Sequence, residues 1–242
     1  MKLTLLMSVF ITALTLSLSA QDEKPKNCKL AAGADLTSMY LWRGFELSDG
    51  PAIQPWTEFS FKGLTLGAWG SYNFIGDSKE IDVYARYDFM NMSLSFTDLY
   101  TIAPENPNED YFDFNTRTTG HISELGLSYN GSDKIPFTAM GGVLLYGLVW
   151  DQKIDDSTSL NYSSYFEFGY LGQLEDYSYN IFAGFTPTES YFYGTDKFSF
   201  INVGVNVTKE IKVTESFSIP ATLTLTTNPN SRKLFMAIMF SL

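Results

Sequence analysis

The chain has 242 residues, with 16 Lys and Arg against 27 Asp and Glu, and a formal net charge of −11. That balance excludes nucleic acid as a partner, since a phosphate backbone is bound by a basic face. One cysteine, Cys28, excludes an internal disulfide.

Met1 and Lys2 lead into an apolar stretch from Leu3 to Leu16, followed by Ser17, Leu18, Ser19 and Ala20 and then by polar Gln21, Asp22 and Glu23. One early charge, a short apolar core and small residues before a polar segment predict a secretory signal over residues 1–20. Removing it takes away Lys2 alone, so the acid excess persists. Residues 21–32 are expected to form a flexible segment with Cys28 as a free thiol. A lipoprotein anchor needs its cysteine directly after the apolar core, and here Lys24, Pro25, Lys26 and Asn27 intervene.

Residues 33–242 read as one domain. No later apolar run reaches the ~20 residues of a membrane helix. The longest, Ala139 to Trp150, is interrupted by glycines. Hydrophobicity is instead spread over alternate residues, in about twelve segments of period two. Ile81, Val83, Ala85, Tyr87 and Phe89 oppose Asp82, Tyr84, Arg86 and Asp88. Leu64, Leu66 and Ala68 oppose Thr65 and Trp69, and Phe166, Phe168 and Tyr170 oppose Tyr165 and Glu167. Most segments approach the ~9–11 residues of a tilted membrane-spanning strand, longer than the ~5–6 of ordinary strands. Short turns at Lys62-Gly63 and Met90-Asn91 alternate with long connections at Ala103 to Gly120 and Thr186 to Asp196, as in barrels with tight periplasmic turns and long external loops. Tyr40, Trp42, Tyr72, Phe74, Tyr100, Tyr129, Trp150 and Tyr170 are expected at the lipid interfaces. Leu234, Met236, Ile238, Phe240 and Leu242 alternate to the end of the sequence, which predicts a closing strand read by barrel-assembly machinery. The fold class is therefore all-β, an antiparallel transmembrane up-and-down β-barrel of about twelve strands in a bacterial outer membrane.

The stretch Ser38-Met39-Tyr40-Leu41-Trp42-Arg43-Gly44, followed by Ser48-Asp49-Gly50-Pro51-Ala52 and Gln54, resembles the opening hairpin of the TorF-type family of outer-membrane porins. Gly67-Ala68-Trp69-Gly70-Ser71 is similar to that family's next strand. The resemblance runs over residues 35–74 and implies a barrel that passes solutes.

A passive channel for small hydrophilic solutes or ions follows as the first functional expectation. Its expected interior charges are Asp35, Arg43, Glu58, Asp82, Arg86, Asp88, Glu124 and Glu167, with Glu58 as partner to Arg43. The acid excess gives any open pore a weak cation preference. Trp69, Tyr84 and Tyr165 are placed to narrow or block the bore, and a structural or ligand-binding barrel with a plugged lumen is the alternative. A hydrolase using His121 and Ser123 is the third reading. Both side chains share the lipid-facing parity, and the orienting third group of a triad is missing from the next strand. Asp98 also falls on the lipid parity, which predicts that its strand bulges or leaves the bilayer there. No cofactor or metal pattern is present, and the partners expected are outer-membrane lipid, the assembly machinery and small solutes.

Overall fold

The computed structural model describes residues 28–48, 50–75, 79–102 and 110–242. The predicted signal and residues 21–27 lie outside them, as does the 103–109 part of the long predicted loop. The strands are β1 (Cys28–Thr37), β2 (Tyr40–Trp42), β3 (Phe45–Ser48), β4 (Ala52–Phe61), β5 (Leu64–Asn73), β6 (Lys79–Phe89) and β7 (Met92–Ile102). There follow β8 (His121–Tyr129), β9 (Phe137–Tyr146), β10 (Ser164–Leu174), β11 (Tyr177–Thr186), β12 (Ser199–Lys212), β13 (Ser218–Asn228) and β14 (Lys233–Ser241). All but β2 and β3 form one closed barrel of twelve antiparallel strands, each paired with its neighbours in sequence, with β1 joining β4 on one side and β14 on the other. β2 and β3 pair only with each other.

The period-two alternation becomes the two faces of the wall. Leu66 on β5, Phe96 on β7, Leu127 on β8, Phe168 on β10, Ile181 on β11, Leu223 on β13 and Met236 on β14 are all exposed on its outside. The polar parity faces inward. Turns 62–63 and 90–91 join strands with two residues each, and Lys62 and Gly63 have φ of 49° and 87°. Two positive φ values give the turn whose twist matches that of the flanking strands.

Three expectations need correction. β1 starts at Cys28, within the segment expected to be flexible, because Cys28 to Thr37 pair residue for residue with Phe61 to Ala52; its small residues gave little periodic signal. β7 does not bulge at Asp98, and its register with β6 and β8 runs through that residue unbroken. The register shifts fall instead between β8 and β9, at Ser123/Glu124, and between β11 and β12, at Gly184/Phe185. Tyr40, Trp42 and Tyr100 do not stand at an outer interface: the first two lie inside the barrel on β2, and Tyr100 is covered and 1% exposed.

The β1–β14 junction is short. Asp35, Leu36 and Thr37 pair with Ser241, Phe240 and Met239, extended by the exchange between Ala34 and Leu242 and by Ser38 N–H donating to Ile238. Below Ala34, β1 is bonded only to β4.

Candidate functional site: the lumen around Arg43

The chain leaves the wall after Thr37, whose Oγ1 donates to the Met39 carbonyl at 2.7 Å, and the β2–β3 hairpin enters the lumen. A two-residue turn, Arg43-Gly44, reverses it with φ of 49° and 80°, the same geometry as the 62–63 turn. Gly44 is required twice over. Its φ is one that side-chain-bearing residues rarely adopt, and a Cβ there would lie 1.8 Å from the Ile201 carbonyl oxygen. The Gly44 carbonyl accepts from Asn228 Nδ2 at 3.3 Å. The register shift in β12 turns Ile201 inward, fully buried, so a wall irregularity makes the seat for the hairpin tip.

Arg43 spans the lumen to β8. Its Nη1 donates to Glu124 Oε2 at 2.5 Å and to the Tyr193 hydroxyl at 2.7 Å, and its Nη2 donates to Glu124 Oε1 at 2.8 Å. The guanidinium lies 4.5 Å from the Trp42 ring and 4.6 Å from the Tyr165 ring. The two charged side chains are only 9% and 13% exposed. Tyr165, Tyr193 and Ile201 form a buried core packed against Trp42, Phe45, Met140 and Phe192, so the long-loop end of the lumen is filled by hairpin and loop residues. Burial opposes the charge on Arg43, yet Tyr193 and Glu124 outweigh it and hold the guanidinium above its ordinary value. Burial also pushes the Tyr193 hydroxyl up to about 12.

These contacts correct one further expectation and give the reason for an earlier correction. The partner of Arg43 is Glu124, not Glu58; Glu58 instead accepts from Tyr84 at 2.8 Å and from Arg86 at 3.2 Å. Tyr40 and Trp42 belong to the lumen, where the Tyr40 ring lies 5.4 Å from the Trp69 ring. A three-residue strand cannot contribute to the wall, and the charge at its tip finds its carboxylate inside.

The other expected interior charges all stand on the inner face, away from the Arg43–Glu124 contact. Arg86 also pairs with Asp88 at 3.2 Å. Asp82 is buried beside Glu80 on β6, and Asp35 sits at the junction opposite Gln54 and Ser241. Glu167 accepts from the Tyr165 hydroxyl and, at 2.9 Å, from Asn202 Nδ2. The wall from β4 to β8 is thus charged, with acids in excess. The wall from β12 to β13 is amide and hydroxyl: Asn202, Asn206, Thr208, Thr222, Thr224 and Thr226, joined by bonds such as Thr224 to Asn206 at 2.9 Å. A cavity of about 250 Å³ against the hairpin and another of about 320 Å³ along β8 and β9 share Glu167 in their linings. Sequence reading missed Tyr193 and Glu80. Tyr193 sits in an irregular connection without periodicity, whereas Glu80 is on the polar parity of β6 and was legible there.

His121 and Ser123 do share the outer face, near the long-loop end. The third group missing from the sequence reading is supplied by the preceding strand, since His121 Nδ1 lies 2.7 Å from Asp98 Oδ2. Its Nε2, however, lies 2.7 Å from the Tyr111 carbonyl oxygen. Both ring nitrogens are therefore engaged, and neither is left to act as base toward Ser123. Among the described residues no three metal-ligating side chains gather.

No family model, curated protein or solved structure matches this chain.

Proposed function

We propose that the protein is a bacterial outer-membrane barrel, exported by the signal at residues 1–20, that lets small hydrophilic solutes or ions pass by diffusion through a lumen constricted by the β2–β3 hairpin. The observation that carries this reading is a closed twelve-strand wall with an apolar outside and an inside where carboxylates outnumber bases. Twelve strands lie between eight-stranded barrels filled by side chains and the ~16–18 strands of wide aqueous porins, so a narrow bore suits the size. The acid excess gives the bore a cation preference. The long loops face outward and the short turns inward, and the β14 strand through Leu242 is the segment that the assembly machinery reads. The likeness of the first hairpin to TorF-type porins agrees with this assignment.

The buried pack of Trp42, Tyr165 and Tyr193 around Arg43 favours a second reading, a barrel closed at its outer end whose cavities hold a ligand. Planar-bilayer recording separates the two. Purified protein under a KCl gradient is expected to give small unitary currents with a reversal potential displaced toward that of K⁺. Absence of current in the unaltered protein, with current appearing in Arg43→Ala, decides for the closed barrel.

A further inference from the structure

The cavity of about 250 Å³ against the hairpin is enclosed by the hairpin itself, β4, β10, β12, β13 and β14. Its walls differ in kind. Gln54, Asn206 and Thr224 give one part amide and hydroxyl groups, whereas half-buried Leu41 from the hairpin and Met239 from β14 give another part alkyl groups. Alkyl groups offer nothing to a hydrated inorganic ion, but they shelter the apolar part of an organic one.

Two charged side chains reach this cavity, Arg43 and Glu167. Arg43 is already matched by both oxygens of Glu124. Glu167 has no basic partner among the described residues. Its Oε2 accepts from the Tyr165 hydroxyl and from Asn202 Nδ2 at 2.9 Å. Those two bonds hold the side chain in place, while Oε1 accepts from no described residue. The cavity is thus left with an uncompensated carboxylate.

A second acceptor is unmet as well. Gln54 is only 6% exposed and donates through Nε2 to Ser71 Oγ at 3.3 Å, with no donor to its own Oε1 among the described residues. A covered acceptor without a donor is costly, and this one lines a space. An ammonium group brings three donors and no acceptor. An anion is repelled by Glu167, and a polyol would lose hydration against Leu41 and Met239. The Asn206 amide nitrogen is also unbonded, its Oδ1 accepting from Thr224 at 2.9 Å, and it suits a hydroxyl oxygen on the same molecule.

We propose that this cavity is a binding subsite for a small primary ammonium compound, with the ammonium group at Glu167 and a short carbon chain against Leu41 and Met239. Its volume equals about eight waters at ~30 Å³ each, which sets the ligand at roughly that many non-hydrogen atoms. The 320 Å³ cavity also touches Glu167, so the same carboxylate meets a solute on either side. The inference rests on the reading of the lumen as the place that solutes enter, and the test separates the two.

The probe is n-butylammonium, titrated calorimetrically at low salt into the detergent-solubilised protein, with heat-modifiable gel migration checking that each variant is folded. Binding is expected to be at least tenfold tighter than that of K⁺, pentanoate or 1-pentanol. Shortening the chain stepwise to methylammonium is expected to weaken it by up to about fourfold per methylene. Glu167→Gln, which still offers an oxygen to Tyr165 and Asn202, is expected to weaken butylammonium at least tenfold. Leu41→Asn, a separate variant on the hairpin, is expected to flatten the dependence on chain length. Absence of butylammonium binding, K⁺ binding as tightly, or undiminished binding by folded Glu167→Gln overturns the subsite. A cation-preferring current in planar bilayers without butylammonium binding overturns the subsite alone, whereas binding without any current upholds the subsite and overturns the channel.

Discussion

Two segments at the long-loop end leave the wall in opposite directions and are fastened by the same means. The β2–β3 hairpin goes inward and the 111–119 segment folds down the outside. Each is held by a nitrogen-bearing side chain set among aromatic rings and bonded to a carboxyl group on the wall: Arg43 with Glu124 inside, His121 with Asp98 outside. They differ in which side of the contact carries the nitrogen-bearing group. Arg43 travels with the hairpin and stays charged at every accessible pH. His121 belongs to the wall, and its other ring nitrogen reaches the segment at the Tyr111 carbonyl. The inner clasp thus moves with the hairpin, whereas the outer one is built into β8.

The harshest way to break the inner clasp is Gly44→Ala. A Cβ 1.8 Å from a backbone carbonyl cannot be absorbed, so the hairpin is expected to leave its seat, and trypsin to cut after Arg43 in a barrel that still runs as folded on a gel. Arg43→Ala comes next. It leaves Glu124 buried and unpaired, at ~3–5 kcal/mol, and is expected to lower the urea midpoint and raise unitary conductance. Replacing Arg43 and Glu124 together by Met is expected to restore much of the stability, which would show that the loss came from the orphaned carboxylate. Tyr193→Phe removes one charge-assisted hydrogen bond and is expected to cost ~1.5–3 kcal/mol, read as a smaller shift of the same midpoint.

The smallest effect lies in the 147–163 connection, whose two acids pull oppositely. Asp156, bonded by Ser159 and Thr158, is held down to about 2. Its contribution is present above the unfolded value of ~3.9 and is lost as pH falls through the folded one. Asp151 is pushed up by burial, against hydrogen bonds from Ser163 and Tyr162. Its contribution is full below the unfolded value and is lost as pH rises through the raised one. Asp151→Asn is expected to slow amide exchange in this connection near neutral pH and to flatten its dependence above about pH 4.

The wall was legible because a strand writes its two faces at period two, and residues such as Val83, Phe96 and Leu223 obey that rule without reference to anything distant. The hairpin was half legible. Arg43-Gly44 between apolar residues marks a turn, but strands of three and four residues are too short to show which face they present. Its seat was not legible, since Glu124, Tyr193 and Ile201 lie 81, 150 and 158 residues away in sequence and only barrel closure brings them to one level. Asp98 shows the same limit. On parity alone it looked like a fault in β7, and its reason is a histidine one strand over, recognisable only once the register is known.

The short β1–β14 junction bears on how the chain reaches this state. Every other pairing in the wall is between consecutive barrel strands, so its formation can spread from turn to turn. Asp35 meeting Ser241 instead closes a loop of about 200 residues, whose entropy must be surrendered before any bond there repays it. Three registered pairs repay little, against ten between β1 and β4. The junction is therefore the last part of the cylinder to form and the first to fray, and amide protons of residues 34–38 facing β14 are expected to exchange ahead of those between β5 and β6.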